Sequence, residues 1–118
     1  MRSFHDAPIV QKIYDFYRDL YLVIEKMPKK DKYSLGIKLE EISLGLLELT
    51  IAAGNLQQKE KLMPLNKANV KIDILKTLLR LAYDIHATDQ KKYLNLEEKL
   101  QEIGKMLGGW IRSIKASS

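Results

Sequence analysis

The sequence predicts an all-α domain, an antiparallel four-helix bundle whose chain runs up, down, up and down. Four long segments place apolar residues three and four positions apart, which is the spacing of a single helix face. Stop signals, Pro28 and the pair Gly54 and Asn55, fall between these segments. Helix-forming Leu, Lys and Glu are abundant, and there are only three prolines. Four such helices joined by short turns bury their apolar faces against one another.

The first helix is predicted over residues 9–27. Pro8 suits a first-turn position, and Pro28 ends the helix because the residue before a proline avoids the α region. The apolar stripe that indicates this helix consists of Ile9, Ile13, Phe16, Leu20, Ile24 and Met27.

The second helix is predicted over residues 32–54, after the loop PKKDK. Asp31 or Ser34 can cap its N-terminus, because a short polar side chain accepts hydrogen bonds from the first free N–H groups. Gly54 and Asn55 supply the C-terminal stop signal. The apolar stripe comprises Leu35, Leu39, Ile42, Leu46, Leu49 and Ala53.

The third helix is predicted over residues 61–87, with a start near Pro64 that the sequence fixes only to about four residues. His86 ends its core stripe, and we interpret it as a helix-end residue with a partly solvated ring rather than a catalytic base. The core stripe comprises Ala68, Ile72, Leu75, Leu79, Ala82 and His86. A second stripe lies about 100 degrees away, and comprises Ile74, Leu78, Leu81 and Ile85. Together they form an apolar arc wider than one neighbour covers.

The fourth helix is predicted over residues 89–115, with Thr88 as its N-cap. The segment GKMLGGWIRS lies inside it, although each glycine costs about 1 kcal/mol relative to alanine in a helix. We expect close packing against another helix, or close approach of a polyanion, to explain these glycines. The core face comprises Tyr93, Leu96, Leu100, Ile103, Leu107, Ile111 and Ile114.

Composition narrows the class of protein. A chain of 118 residues fits one domain, and the absence of Cys excludes disulfides and Cys-type zinc sites. No apolar run is long enough for a signal peptide or a membrane span, so we expect a cytoplasmic protein that does not contact membranes. The formal net charge of +5 favours anionic partners.

The sequence offers no catalytic site, and we predict that the protein is not an enzyme. His5 and His86 are the only histidines, so neither a histidine metal triad nor the Glu-x-x-His pairs of a di-iron bundle can form. We therefore expect no metal and no cofactor. Neighbouring acids such as Glu40 and Glu41 diverge on a helix and are typical of a solvated face.

Cations on the last two helices are the candidate nucleic-acid contacts. Lys105 and Arg112 lie seven residues apart, hence on one side of the helix, and no acid follows Glu102 in this segment. Plain solubilising charge is the alternative. The full candidate set is Lys76, Arg80, Lys105, Arg112 and Lys115.

Several apolar and small residues are candidates for contact between subunits. The tyrosines form an edge of the first helix and Gly104 and Gly108 form a small-residue face, while Trp110 is explained equally well by the core of its own subunit. The candidates are Tyr14, Tyr21, Leu78, Leu81, Gly104, Gly108 and Trp110.

Four blocks of the sequence resemble a known family. They are QKIYDFYRDL, SLGIKLEEISLGLLELTIAAG, LNKANVKIDILKTLLRLAYDI and YLNLEEKLQEIGKMLGGWIRS, which span most of residues 9–113. In these blocks the chain resembles Avd, the accessory variability determinant protein of diversity-generating retroelements. A sister group of four-helix proteins, encoded in intervening sequences of large-subunit ribosomal RNA genes, is similar as well.

The resemblance implies a small four-helix bundle that forms a ring-like homopentamer and has no active site. It also implies binding to nucleic acid and to the reverse transcriptase of the retroelement, during error-prone copying of template RNA into cDNA. The most specific parts of the resemblance are LLRLAYD and IGKMLGGWIRS, and their cationic positions are Arg80, Lys105 and Arg112. The ribosomal relatives leave an alternative open, namely a scaffold or adaptor with protein partners only.

Overall fold

Four long helices make up the computed structural model, which describes residues 8–117. Helix α1 is Pro8–Glu25; α2 is built from Lys29–Asp31, a π-helical turn at Lys32–Gly36 and Ile37–Gly54; α3 is Leu62–Asp84; and α4 is Gln90–Ala116. No strand occurs within the described residues. The predicted all-α four-helix bundle is therefore confirmed. His5 lies outside the described residues.

Helices that follow one another in the sequence pack together, and α1 closes the bundle by packing against α4. Contacts between residues show that neighbouring helices are antiparallel: Asp19 meets Lys99 while Lys12 meets Glu102, and Tyr83 stacks on Tyr93. The bundle measures 47 × 25 × 21 Å. This is the up-down-up-down arrangement that the short connections predict.

The core consists largely of the predicted stripes. Phe16, Leu39 and Leu75 have no exposed surface, and burying one such side chain stabilises the fold by roughly 1.5–3 kcal/mol. Three polar residues are also buried, Asp31, Ser43 and Thr50. The Thr50 hydroxyl donates to the Leu46 and Leu47 carbonyls, whereas the Ser43 hydroxyl has no partner within residues 8–117. Some predicted stripe positions are only partly buried, namely Leu35, Ile42, Leu49 and Tyr93.

The start of α2 differs from the prediction. The helix begins at Lys29, directly after Pro28, and neither Asp31 nor Ser34 caps it. Ser34 instead donates to the Lys30 carbonyl from within the helix. A π-helical turn adds a residue to one turn of the helix, and its Gly36 lies against Ile24 of α1, where a Cβ would stand 2.8 Å from Ile24 Cγ2.

The connection between α2 and α3 contains a short 3₁₀ helix, Gln58–Lys61. The Glu60 carboxylate accepts a hydrogen bond from the Gln57 N–H, and Lys61 donates to the Ala53 carbonyl at 2.8 Å. Helix α3 then begins at Leu62, one residue after the predicted start, with Pro64 in its first turn. A first-turn proline removes no helix hydrogen bond.

The turn between α3 and α4 corrects two predicted boundaries. Helix α3 ends at Asp84 rather than residue 87, because His86 adopts a left-handed conformation with φ of 64°. The His86 N–H donates to Tyr83 and the Ala87 N–H to Ala82, the paired bonds of a Schellman end. Asp89, not Thr88, caps α4 by accepting from the Lys92 N–H at 2.8 Å.

Candidate functional site

Lys105 and Arg112 share the outer surface of α4, as their spacing predicts. Both are exposed, and neither forms an ion pair within residues 8–117. The Arg112 guanidinium folds back over Gly108 and Gly109: a Cβ on Gly108 would stand 3.3 Å from its Nη1. The two glycines therefore leave room for the arginine to lie against the helix backbone, with its donors free for an anion.

Gly104 does not have the packing that the sequence suggested. A Cβ at Gly104 would meet only Ile72 Cγ2, at 3.9 Å, which is an ordinary van der Waals distance. The expectation that close helix contact explains this glycine is thus wrong within the subunit. Glycine is sterically required at Gly36, where α1 and α2 meet.

Lys76 and Arg80 lie in a second place, the groove between α3 and α4. The Arg80 Nε donates to Asp84 at 2.9 Å, and this hydrogen bond is the main reason that the pKa of Arg80 is raised. Tyr93 and Glu97 line the same open groove. Arg80 is therefore largely neutralised, whereas Lys76 forms no ion pair inside the described part of the chain.

The candidate cations thus fall into two groups along the α3–α4 side. Tyr83 stacks on Tyr93 near one end of this side and Ile72 lies by Gly104 further along, so Lys76 and Arg80 lie between these levels. The cations of α4 follow beyond Gly104, and Lys115 is exposed in the last turn. Of the five, the groove between α3 and α4 takes in only Lys76 and Arg80, and this spread fits a surface for an extended ligand better than a site for a small molecule.

The outer face of α3 carries an exposed apolar row, which we call the α3 stripe. Its side chains are 40–69% exposed and point away from the bundle core. The members are Met63, Val70, Ile74, Leu81 and Ile85. Leu78, a predicted interface residue, is instead half-buried against the core of its own subunit.

A second exposed apolar surface lies on the α1–α2 side. Tyr14, Tyr21 and Leu22 are each at least half exposed and line a shallow groove with Tyr17. The Tyr17 hydroxyl donates to Glu40 of α2 at 3.4 Å, and burial is the first reason that its pKa is raised. On α2, Ile37 and Leu44 are exposed as well. We call the exposed side chains of Tyr14, Tyr21, Leu22, Ile37 and Leu44 the tyrosine face.

Trp110 is half-buried against the core of its own subunit, together with Met106. Of the interface candidates, Tyr14, Tyr21 and Leu81 are therefore the exposed large residues. Five further exposed apolar residues were not predicted from the sequence: Met63, Val70, Leu22, Ile37 and Leu44. The seven-residue spacing of Met63 and Val70 and the continuation at Ile74 and Leu81 was the available signal for the α3 stripe.

Residues 8–117 contain no group of three or more His, Asp or Glu side chains placed to hold a metal ion. Within the same range, no helix is both long enough and apolar enough to cross a bilayer.

A search of curated proteins found no similar sequence. Residues 8–114, which include all four helices almost completely, match the family described as bAvd-like. The chain therefore belongs to the bAvd-like family, as the resemblance of its four sequence blocks predicts.

Proposed function

We propose that this protein is a non-catalytic accessory protein of a diversity-generating retroelement. In this role it binds nucleic acid and the reverse transcriptase of the element while template RNA is copied with errors. Membership of the bAvd-like family supports the role. The observation that carries the proposal is that Lys105 and Arg112 of α4 form no ion pair within residues 8–117, on a small bundle that also has two uncovered apolar faces.

Assembly of several copies is the first part of the proposal. The α3 stripe and the tyrosine face lie on different sides of the bundle and differ in chemistry, since only the tyrosine face contains aromatic rings. Two different patches that pair head to tail generate a ring when the rotation closes. We therefore propose a ring-like homopentamer in which the α3 stripe of one subunit packs on the tyrosine face of the next.

Nucleic-acid binding is the second part. Lys105 and Arg112 form no ion pair within residues 8–117, and Gly108 and Gly109 let the Arg112 guanidinium lie close against the helix. Contacts from such cations are made to phosphates, so affinity depends steeply on salt and little on sequence. Lys76 and Lys115 add positive charge along the same side, whereas the charge of Arg80 is balanced by Asp84.

The test is binding of a fluorescent RNA duplex at increasing salt concentrations. We expect Kd to rise at least tenfold between about 50 and 200 mM salt, and Lys105→Glu with Arg112→Glu to weaken binding further. Lys38→Glu with Lys59→Glu is the matched control, because it changes the charge equally on other surfaces. Binding that is independent of salt would contradict phosphate recognition.

A protein adaptor without nucleic-acid contacts is the second candidate function. The Arg80–Asp84 pair favours it, because a neutralised cation has less to offer a phosphate. Co-purification with the reverse transcriptase, without any RNA binding at about 50 mM salt, would select the adaptor over the nucleic-acid-binding protein.

A further inference from the structure

Lysines from three separate stretches of the chain meet at one end of the bundle. Lys26 follows the last turn of α1, Lys29 and Lys30 open α2, and Lys91 and Lys92 lie in the first turn of α4. Because the helices are antiparallel, the end of α1 and the starts of α2 and α4 lie together, on a surface about 25 × 21 Å across. We call these five residues the lysine end.

Ion pairs balance little of the positive charge of these five lysines. Lys26, Lys29, Lys30 and Lys91 are exposed, and none of them forms an ion pair within the described residues. Lys92 lies 4.0 Å from its nearest carboxylate, which is a loose contact. The chain as a whole carries a net charge of only +5. Counting Lys32, six lysines stand at this end against four acids, Glu25, Asp31, Asp84 and Asp89, so the local excess is two positive charges.

An open depression of about 420 Å³ lies within this end, between α1 and the turn that joins α3 to α4. Lys26, Lys92 and His86 line it. Thr88 lines it too, and its hydroxyl is buried without a hydrogen-bond partner in residues 8–117. The carboxylate in the depression, Asp89, is already engaged by the Lys92 N–H. The lining thus offers an anion the two lysine ammonium groups, beside the apolar side chains of Val23, Pro28 and Ala87.

An exposed aromatic ring lies close to Lys29 and Lys30 in the first turns of α2. Tyr33 lies in the π-helical turn of α2, is 61% exposed, and has the Lys32 ammonium 5.7 Å from its ring centroid. Lys29 and Lys30 are one helical turn away. Proteins that bind single-stranded nucleic acid combine such features, because cations hold the phosphates while an aromatic side chain stacks on a base.

We propose that the lysine end is a second nucleic-acid site, which binds single-stranded RNA or DNA through its phosphates and stacks one base on Tyr33. The site is separate from Lys105 and Arg112, since Arg112 lies in the last turns of α4 and Lys91 in its first. The inference rests on the proposed nucleic-acid function and adds to it a place where a single strand is held.

The test compares two triple variants of equal charge. The end variant carries Lys29→Gln, Lys30→Gln and Lys91→Gln, and the matched variant carries Lys38→Gln, Lys59→Gln and Lys67→Gln. All six lysines are exposed, so both variants should fold, which circular dichroism checks. Binding of a fluorescent oligouridine is measured from about 50 to 300 mM salt, where each lost phosphate contact reduces the log–log slope by about 0.7.

We expect the end variant to bind at least tenfold more weakly than the matched variant, with a slope shallower by about 2, as three lost contacts require. Equal affinities and equal slopes in the two variants would overturn the inference. Tyr33→Leu should weaken binding about fivefold or more without changing the slope, and Tyr33→Phe should restore it, because stacking needs the ring and not the charge.

The outcomes separate this inference from the proposed function. If the unmodified protein binds neither oligouridine nor RNA duplex at about 50 mM salt, the nucleic-acid function fails and the lysine end with it. If the protein binds oligouridine and only Lys105→Glu with Arg112→Glu weakens that binding, the proposed function stands and the lysine end is overturned.

Discussion

The α1–α4 side and the outer face of α3 are both solvent-facing, yet they are built from different residues. Across the α1–α4 side, Lys12 pairs with Glu102 at 2.9 Å, a contact that raises the pKa of Lys12. Asp19 accepts from both Lys99, at 3.3 Å, and Asn95, at 3.1 Å. Within residues 8–117, the outer face of α3 carries no such contacts along the α3 stripe, where the exposed side chains are apolar.

This difference indicates which surface is complete in a single subunit. Charged pairs between neighbouring helices remain hydrated and need no further partner. An exposed row of aliphatic side chains leaves apolar area in water, and covering it is favourable by roughly 25 cal/mol per Å². Contiguous patches of this kind mark interaction sites. The α1–α4 side therefore serves as ordinary surface, and we propose that the α3 stripe is covered by another subunit.

The largest expected effect comes from placing charge in the α3 stripe. Ile74→Glu with Leu81→Glu should convert the assembly into single chains of 13.7 kDa, because burying an unpaired carboxylate in an interface costs several kcal/mol. Both side chains are at least 40% exposed in the subunit, so its helices should persist. Sedimentation velocity measures the mass and circular dichroism the helicity.

Gln101→Glu on α4 serves as the control for this double variant, since Gln101 is exposed and lies outside both apolar faces. It should leave the mass of the assembly unchanged. An unchanged mass for the double variant as well would show that the α3 stripe takes no part in assembly.

A smaller effect is expected where α1 and α2 meet, beside the tyrosine face. Gly36→Ala would put a Cβ 2.8 Å from Ile24 Cγ2 in a buried contact. The helices must then move apart, so we expect the free energy of unfolding to fall by about 1–3 kcal/mol, as for other overpacked sites. Chemical denaturation measures it.

Gly104→Ala is the matched substitution, because its Cβ would meet only Ile72, at 3.9 Å. Alanine has the higher helix propensity, so the free energy of unfolding should rise by up to about 1 kcal/mol. A fall in both variants would mean that helix contact, and not the local clearance at Gly36, determines the cost.

The smallest effect is expected on the α1–α4 side. Asp19→Ala removes the partner of both Lys99 and Asn95, which are solvated, so the free energy of unfolding should fall by about 1 kcal/mol or less. The loss should shrink at high salt because the interaction with Lys99 is screened. Thermal unfolding at low and high salt checks this, and a loss above about 3 kcal/mol would contradict a merely solvated contact.

The sequence was sufficient for the helices and their buried faces, because helical periodicity is a local property of the chain. It was less reliable at helix ends. Thr88 and Asp89 are neighbours and both are good caps, so only the geometry of the turn selects Asp89. The early start of α2 depends on a π-helical turn and on the fit of Gly36 against Ile24, a contact between distant residues.

In the candidate site, too, local spacing was predictable from the sequence and contacts between distant residues were not. The shared face of Lys105 and Arg112 follows from their seven-residue spacing, which a helix fixes. The lysine end is not visible in the sequence, because it joins stretches around Lys29 and Lys91 that only the bundle brings together. The role of Gly108 also requires the structure, since it depends on how the Arg112 side chain folds over the backbone.

We propose that the bundle assembles with copies of itself through its two uncovered apolar faces while its cationic surfaces stay open. The most direct test is the solution mass of the unmodified protein, measured by sedimentation equilibrium at moderate salt. We expect a mass about five times that of the 13.7 kDa chain, as the homopentamer implied by the family resemblance requires. A mass equal to a single chain at micromolar concentration would contradict it.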